Sequence, residues 1–169
     1  MKSRNPRDAV ETIFCAIVAS LILYVACRPF VISGGSMEPA LRDGDRVVVS
    51  KISVFLNDID RNDLIVYKAP FLGGGDETIV KRVVGLPGDR VTISDGDVYL
   101  NGDVLDEPFL GDNTTDGEID IVLKENEYFT LGDNRGVSYD SRTVGPVAAD
   151  DITGKIIAKW FPLNEFKIF

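Results

Sequence analysis

The sequence predicts a mainly β protein, with a single N-terminal transmembrane helix followed by a compact folded β-sheet or barrel. Residues 12–27 form an almost unbroken apolar run. Beyond Asp43, short runs of β-branched residues alternate with Gly, Pro, Asn and Asp turn signals, the pattern of an all-β domain. No stretch after the apolar run keeps a helical period over a useful length. A chain of 169 residues is one domain, or one domain with an anchor.

In chain order, residues 1–11 are a short polar leader whose Lys2, Arg4 and Arg7 favour the cytoplasmic side. Residues 12–28 are expected to be the anchor. A spanning helix needs roughly 20 mostly apolar residues, with about 17 as the lower limit. Counting Ala9 and Val10, the run is long enough, and Tyr24 near its far end suits a membrane interface. The rival is a cleavable signal peptide. Tyr24-Val25-Ala26-Cys27 has the outline of a lipoprotein cleavage box, but with an aromatic where Leu is usual. Both cysteines, Cys15 and Cys27, lie in the run, so the remainder has no thiol with which to build a disulfide.

Residues 29–169 then form the extracytoplasmic domain. Strands are expected over 46–52, 64–68 and 78–84, each bounded by Gly or Pro. Residues 73–75 are a flexible triple glycine. Strands over 90–94 and 98–100 flank Asp95-Gly96, a hairpin signal, and Asn101-Gly102 is another. Residues 112–117 read as a surface loop, 127–131 as a strand and 152–160 as the last strand. The aromatic tail from Lys159 to Phe169 is expected to pack on the sheet. The alternative is an apolar rim dipping into the bilayer interface, shared with Phe55-Leu56 and Pro70-Phe71-Leu72.

Composition narrows the function. Without histidine or a spare cysteine, a metal site would have to be built from oxygen ligands alone, and no EF-hand spacing is present. No metal or cofactor is expected. Net charge is −9, and because residues 1–28 carry more basic than acidic groups, the whole acid excess falls on the later domain. Such a domain is repelled by nucleic acid.

One loop stands out, Ile32-Ser33-Gly34-Gly35-Ser36-Met37-Glu38-Pro39-Ala40-Leu41. Glycines let backbone approach Ser36, and Pro39 bars a regular helix across Glu38. Taken alone, Ser36 reads first as a turn residue. With no histidine there is no Ser-His-Asp triad, Glu38 stands where G-x-S-x-G needs its last glycine, and no S-x-x-K occurs. A nucleophilic Ser36 would need a lysine, an N-terminal amine or a carboxylate as base. A lysine can serve only where burial draws its pKa toward neutrality. By strand alternation Lys81 shares a face with Ile79 and Val83, Lys51 with Val47 and Val49, and Lys68 with Leu64 and Val66. Periodicity leaves all three open. From Arg28 to Ser36 an extended chain reaches about 28 Å, so a nucleophile on that tether works at the membrane surface.

Three segments resemble the boxes of type I signal peptidases, in order. Gly35 to Leu41 resembles the S-M-x-P-T-L nucleophile box. Val80-Lys81-Arg82-Val83-Val84-Gly85-Leu86-Pro87-Gly88-Asp89 resembles the lysine box. Gly132-Asp133-Asn134-Arg135-Gly136-Val137-Ser138-Tyr139-Asp140-Ser141-Arg142 resembles the third box, G-D-N-x-x-x-S-x-D-S-R. The resemblance selects Lys81 as general base to Ser36, with the Ser36 N–H as an oxyanion donor. It implies that Ser138 hydrogen-bonds and orients the lysine, and that Asp140 and Arg142 form a supporting ion pair with Asp133 beside them.

The same resemblance implies a single-pass protein of the bacterial cytoplasmic membrane, acting as a monomer on signal-peptide-bearing pre-proteins and cutting after small residues at −1 and −3. An extended substrate would add as a strand beside Ser33, Gly34, Thr78, Ile79 and Val80, with shallow pockets near Met37. There are departures. Gly34 stands where one branch of the family has a second hydroxyl, Ala40 replaces the usual Thr, and Asn62 replaces a glycine. The large inserted β domain of some members must be small or missing, since only residues 87–131 are available for it. The rivals are a self-cleaving repressor protease, which the acidic anchored chain disfavours, a maturation peptidase for conjugation or pilus proteins, and a non-catalytic signal-sequence-binding domain.

Overall fold

The computed structural model describes residues 6–70, 76–110 and 114–169. The polar leader up to residue 5, the triple glycine with Phe71 and Leu72, and the start of the expected 112–117 loop lie outside the described residues. The chain begins with helix α1 (Pro6–Ala26) and passes directly into strand β1 (Cys27–Val31). Val10, Ile13, Phe14 and Ile17 are exposed on α1. Among the described residues, no helix is long and apolar enough to cross a membrane. The fold therefore establishes the β domain, and not the membrane crossing expected in front of it.

The domain consists of two antiparallel sheets. The larger is built from β1, β2 (Arg46–Ser50), β3 (Leu64–Pro70), β4 (Asp76–Gly85), β9 (Glu127–Leu131), β10 (Val147–Ala148) and β11 (Ile152–Phe161). Its order is β1-β2-β11-β3-β4-β9-β10, with β12 (Lys167–Ile168) paired to β11. The smaller sheet holds β5 (Arg90–Ser94), β6 (Asp97–Leu100), β7 (Asp103–Val104) and β8 (Ile119–Val122) in the order β7-β6-β5-β8. It occupies the short interval expected for a reduced insertion.

The hairpin signals act as expected. Asp95-Gly96 and Asn101-Gly102 take positive φ angles of 53° and 89°, and of 54° and 97°, at the β5–β6 and β6–β7 turns, as two-residue turns matching strand twist require. The expected strand over 46–52 stops at Ser50. A one-turn helix α2 (Ile52–Phe55) follows, which removes Lys51 from the strand face. Residues 152–160 are not the last strand, because the tail turns back and Ile168 pairs with Ala158. Of the aromatic tail, Phe169 packs against the core, while Phe161 and Phe166 are exposed. β1 was not expected. Its Pro29 removes a ladder donor, which only an edge strand tolerates.

Three apolar clusters fill the domain. One, with Ile32, Met37, Leu41, Val47, Val66 and Val80, lies under the Ser36 loop. A second joins β3, β9 and β11 through Tyr67, Tyr128 and Ile152. The third, with Val84, Val91, Ile93, Phe129 and Leu131, binds the two sheets together. At that joint a Cβ on Gly85 would lie 2.7 Å from Val91 Cγ2 and 2.8 Å from Leu123 Cδ1, so only glycine fits.

Candidate active site

The Ser36 loop is held from both sides. At its base the Ile32 N–H donates to Asp45 O (2.9 Å) and the Gly44 N–H to Ile32 O (2.9 Å). Gly34 sits at φ +85°, and its N–H donates to Asp43 Oδ1 (2.8 Å). An L side chain is strained at that φ, which gives a physical reason for the absence of a hydroxyl residue here. Beyond the serine, Met37 and Leu41 are 1% and 0% exposed. Each such burial contributes about 1.5–3 kcal/mol and pins the loop to the core, with Ser36 half-buried above it.

Lys81 reaches this serine from β4, where it pairs with Ile65 of β3. It is 3% exposed, and its Nζ donates to Ser36 Oγ (2.8 Å) and Val80 O (2.9 Å). Burial pushes its pKa down to about 8, against the opposing charges of Asp140 and Asp133. Lys51 and Lys68, the other two lysines that periodicity left open, are exposed. Lys159 is also buried, and burial alone would depress it. Glu165 at 2.9 Å and Asp45 at 3.3 Å instead hold its pKa above the ordinary value.

The third box closes over the pair. Asn134 donates from its backbone N–H to Ser36 O (3.0 Å) and from Nδ2 to Gly35 O (3.2 Å). A Cβ on Gly132 would meet Ser36 O at 2.6 Å and collide with Ser138 Oγ. Asp140, fully buried, accepts from Arg142 Nε (2.9 Å) and from the Gly132 N–H (3.1 Å). Burial would raise the Asp140 pKa, but Arg142 and the Gly132 N–H hold it below the usual carboxylate value.

Two expectations need correction. Asp133 does not join the Asp140–Arg142 pair. Arg82 takes it in a fork, Nε to Oδ1 at 2.7 Å and Nη2 to Oδ2 at 2.6 Å, because β4 directs Arg82 to the side opposite Lys81. No hydrogen bond joins Ser138 Oγ to Lys81; the buried hydroxyl helps to hold the Asp140 pKa down. The lysine is held by Ser36 and the Val80 carbonyl instead.

Sequence reasoning gave no role to Asn134, Gly132 or Arg82. The first two stood inside a recognised box, but backbone partners in a distant loop leave no periodic trace. Strand alternation puts Arg82 on the face away from Lys81, yet it cannot name a partner in a distant loop.

A cavity of about 160 Å³ opens beside Ser36 and Lys81. Ser33, Met37, Thr78, Ile79 and Val80 line it, joined by Phe30, Ile32 and Glu77. Gly34 is not among its lining residues. A half-buried hydroxyl within hydrogen-bond reach of a depressed lysine, at the end of a narrow cleft, is an arrangement for acyl transfer.

Residues 7–161 match the family model described as signal peptidase, peptidase S26. The chain belongs to the signal peptidase family. It is 33% identical over 183 aligned positions to Signal peptidase IB of Staphylococcus aureus strain N315, covering 95% of this chain and 94% of that one. It is 34% identical over 170 positions to Probable signal peptidase I-2 of Synechocystis sp., covering 96% and 78% of the two chains. A crystal structure of a signal peptidase I from Enterococcus faecalis V583 is similar with a TM-score of 0.50 and 30% identity, covering 57% of this chain and 95% of that one.

Proposed function

We propose that this chain is a signal peptidase I, a serine endopeptidase that frees exported pre-proteins from their signal peptides, with Ser36 as nucleophile and Lys81 as general base. The observation that carries the assignment is the 2.8 Å contact between Lys81 Nζ and Ser36 Oγ, made by a lysine whose pKa is pushed down to about 8. Neutral Lys81 takes the Oγ proton while Oγ bonds to the scissile carbonyl carbon. The tetrahedral oxyanion is stabilised by the Ser36 N–H. Collapse breaks the C–N bond, and Lys81 returns the proton to the leaving amine. Lys81 then deprotonates a water that hydrolyses the acyl-enzyme. Asn134, Arg82, Asp133, Asp140 and Arg142 support this geometry without touching the reacting atoms.

The cleft beside the dyad is small, which fits a requirement for small side chains at −1 and −3. The substrate lies extended along Thr78, Ile79 and Val80 and adds its own strand hydrogen bonds. The apolar run at 12–27, extended by Ala9 and Val10 of α1 and with Val10, Ile13, Phe14 and Ile17 exposed, supports a single anchor in the bacterial cytoplasmic membrane. The β domain then stands on the outer face as a monomer, one short strand away from the bilayer.

The test is cleavage of a purified pre-protein by the full chain in detergent, beside Ser36→Ala and Lys81→Ala. The expected result is trimming after a small residue by the wild type and none by either variant. An inactive wild type that still binds the precursor would replace the peptidase with a binding module.

A further inference from the structure

A second cavity, of about 330 Å³, lies next to the dyad cleft on the side where α1 ends. The two share Phe30 and Thr78. Its apolar walls include Val49 and Val66, and its polar groups are Arg28, Lys51, Thr78 and Thr153. Register explains the gathering. Arg28 of β1 lies opposite Val49 of β2, one residue short of the turn into Lys51. Lys68 of β3 lies opposite Thr78 of β4 and extends the same face.

The charges are unusual for this chain. Its net charge is −9, and its other arginines and lysines outside the N-terminal segment are mostly tied into ion pairs or lie over aromatic rings. Among the described residues, Arg28, Lys51 and Lys68 make no ion pair, and all three are exposed. The position is equally specific. The Lys51 N–H donates to Ala26 O (2.9 Å), the last residue of α1. The cavity mouth therefore opens where the chain leaves the proposed anchor.

We propose that this cavity binds the headgroup of an anionic phospholipid in the outer leaflet, with the phosphate among Arg28, Lys51 and Thr78 and the glycerol end against Val49 and Val66. Near a membrane surface cations of this kind favour anionic lipid, and the hydroxyls supply further donors to phosphate oxygens. The bound lipid clamps β1 and β2 to the bilayer. That holds the dyad cleft, which shares Phe30 and Thr78, at the height where a membrane-held substrate emerges. The inference rests on the anchor in the proposed function, but not on the peptidase chemistry.

The experiment is a thermal melt of the full chain in a neutral detergent, titrated with phosphatidylglycerol or with phosphatidylcholine. Phosphatidylglycerol is expected to raise Tm saturably, by about 5–10 °C at a hundredfold excess over Kd, and phosphatidylcholine to leave it in place. Arg28→Gln/Lys51→Gln, folded by its own melt without lipid, is expected to lose the rise, and Lys68→Gln to halve it or more. An equal response to both lipids overturns the proposal, as does a double variant that responds like the wild type. Inorganic phosphate reproducing the full shift would make this a site for free anions and overturn the lipid assignment. So would a shift produced by an acidic peptide but not by phosphatidylglycerol. Because the readout is a melt, a failed lipid response and a failed cleavage assay are separate results.

Discussion

At the scale of the single residue, Lys81 carries two opposed consequences of burial. Its pKa stands at about 8, against 10.5 for a free lysine, and burial is the cause. As a general base it works only when neutral, so kcat/KM of the full chain is expected to rise about tenfold per pH unit below 8 and to level off above it. A profile flat from pH 6 to 9 would remove Lys81 from that role. The same shift costs stability. Between pH 8 and 10.5 the folded state binds fewer protons than the unfolded state, so stability increases with pH across that window and the cost is complete below it. Lys81→Met is therefore expected to lose activity by about 10³-fold or more. At pH 7 it should unfold in denaturant with a free energy about 1–3 kcal/mol above wild type, and this gain should shrink as pH rises past 8. Strand alternation left Lys51, Lys68 and Lys81 equal, because it reports which face a side chain takes and not what covers that face. α2 turning away after Ser50 is what leaves Lys51 in solvent, and no periodic signal announced it.

At the scale of elements, the site is a joint between β4 and the loop after β9, and two features of that loop make it rigid. The Arg82–Asp133 fork ties the lysine strand to the loop, with the Asp133 side chain 0% exposed. Arg82→Met strands that carboxylate and is expected to cost about 3–5 kcal/mol in denaturant unfolding. Arg82→Met/Asp133→Leu should recover most of the loss, which a double-mutant cycle measures. Gly132 sets the distance between the loop and the serine. Gly132→Ala forces a Cβ to within 2.6 Å of Ser36 O, so the serine or the loop must move. The expected outcome is a fall in kcat of about 10²-fold with a smaller change in KM, as for a misplacement of about 1 Å at a reacting atom. Unchanged steady-state kinetics would mean that the loop yields without disturbing Ser36. Residues 132–142 were legible as a unit because their residue types are so particular. Their contacts were not, since Asn134 to Ser36 and Arg82 to Asp133 are separations that only the folded sheet closes.

At the scale of the whole molecule, the order β1-β2-β11-β3-β4-β9-β10 explains how distant segments converge. The Ser36 loop joins the edge strand β1 to its neighbour β2, Lys81 lies on the interior strand β4, and the third box leaves its neighbour β9. The strong strands around Val47, Ile65, Val83 and Phe129 could be read from β-branched runs. β8, β10 and β12 could not, because they are two to four residues long and held by pairing more than by burial. β1 was hidden because it begins where the apolar run ends and carries Arg28 and Pro29, which break a strand pattern. Its position decides how the proposed anchor is joined to the site. Cys27 pairs with Ser50 and Val31 with Arg46, so α1 is connected to the serine through a strand that is itself part of the sheet. Removing residues 1–26 leaves every β1–β2 pair in place. That shortened chain is expected to fold and to cleave a short soluble peptide within about threefold of the full chain, since dyad and cleft are intact. On a pre-protein held in a bilayer it should lose about 10²–10⁴-fold, the gain that co-localisation on one surface supplies through effective concentration. Removing residues 1–31 takes away β1 and Phe30 of the cleft wall, and activity on the soluble peptide should fall as well. If the first truncation already silences the short peptide, α1 supports the β domain directly, and its role as a tether is refuted.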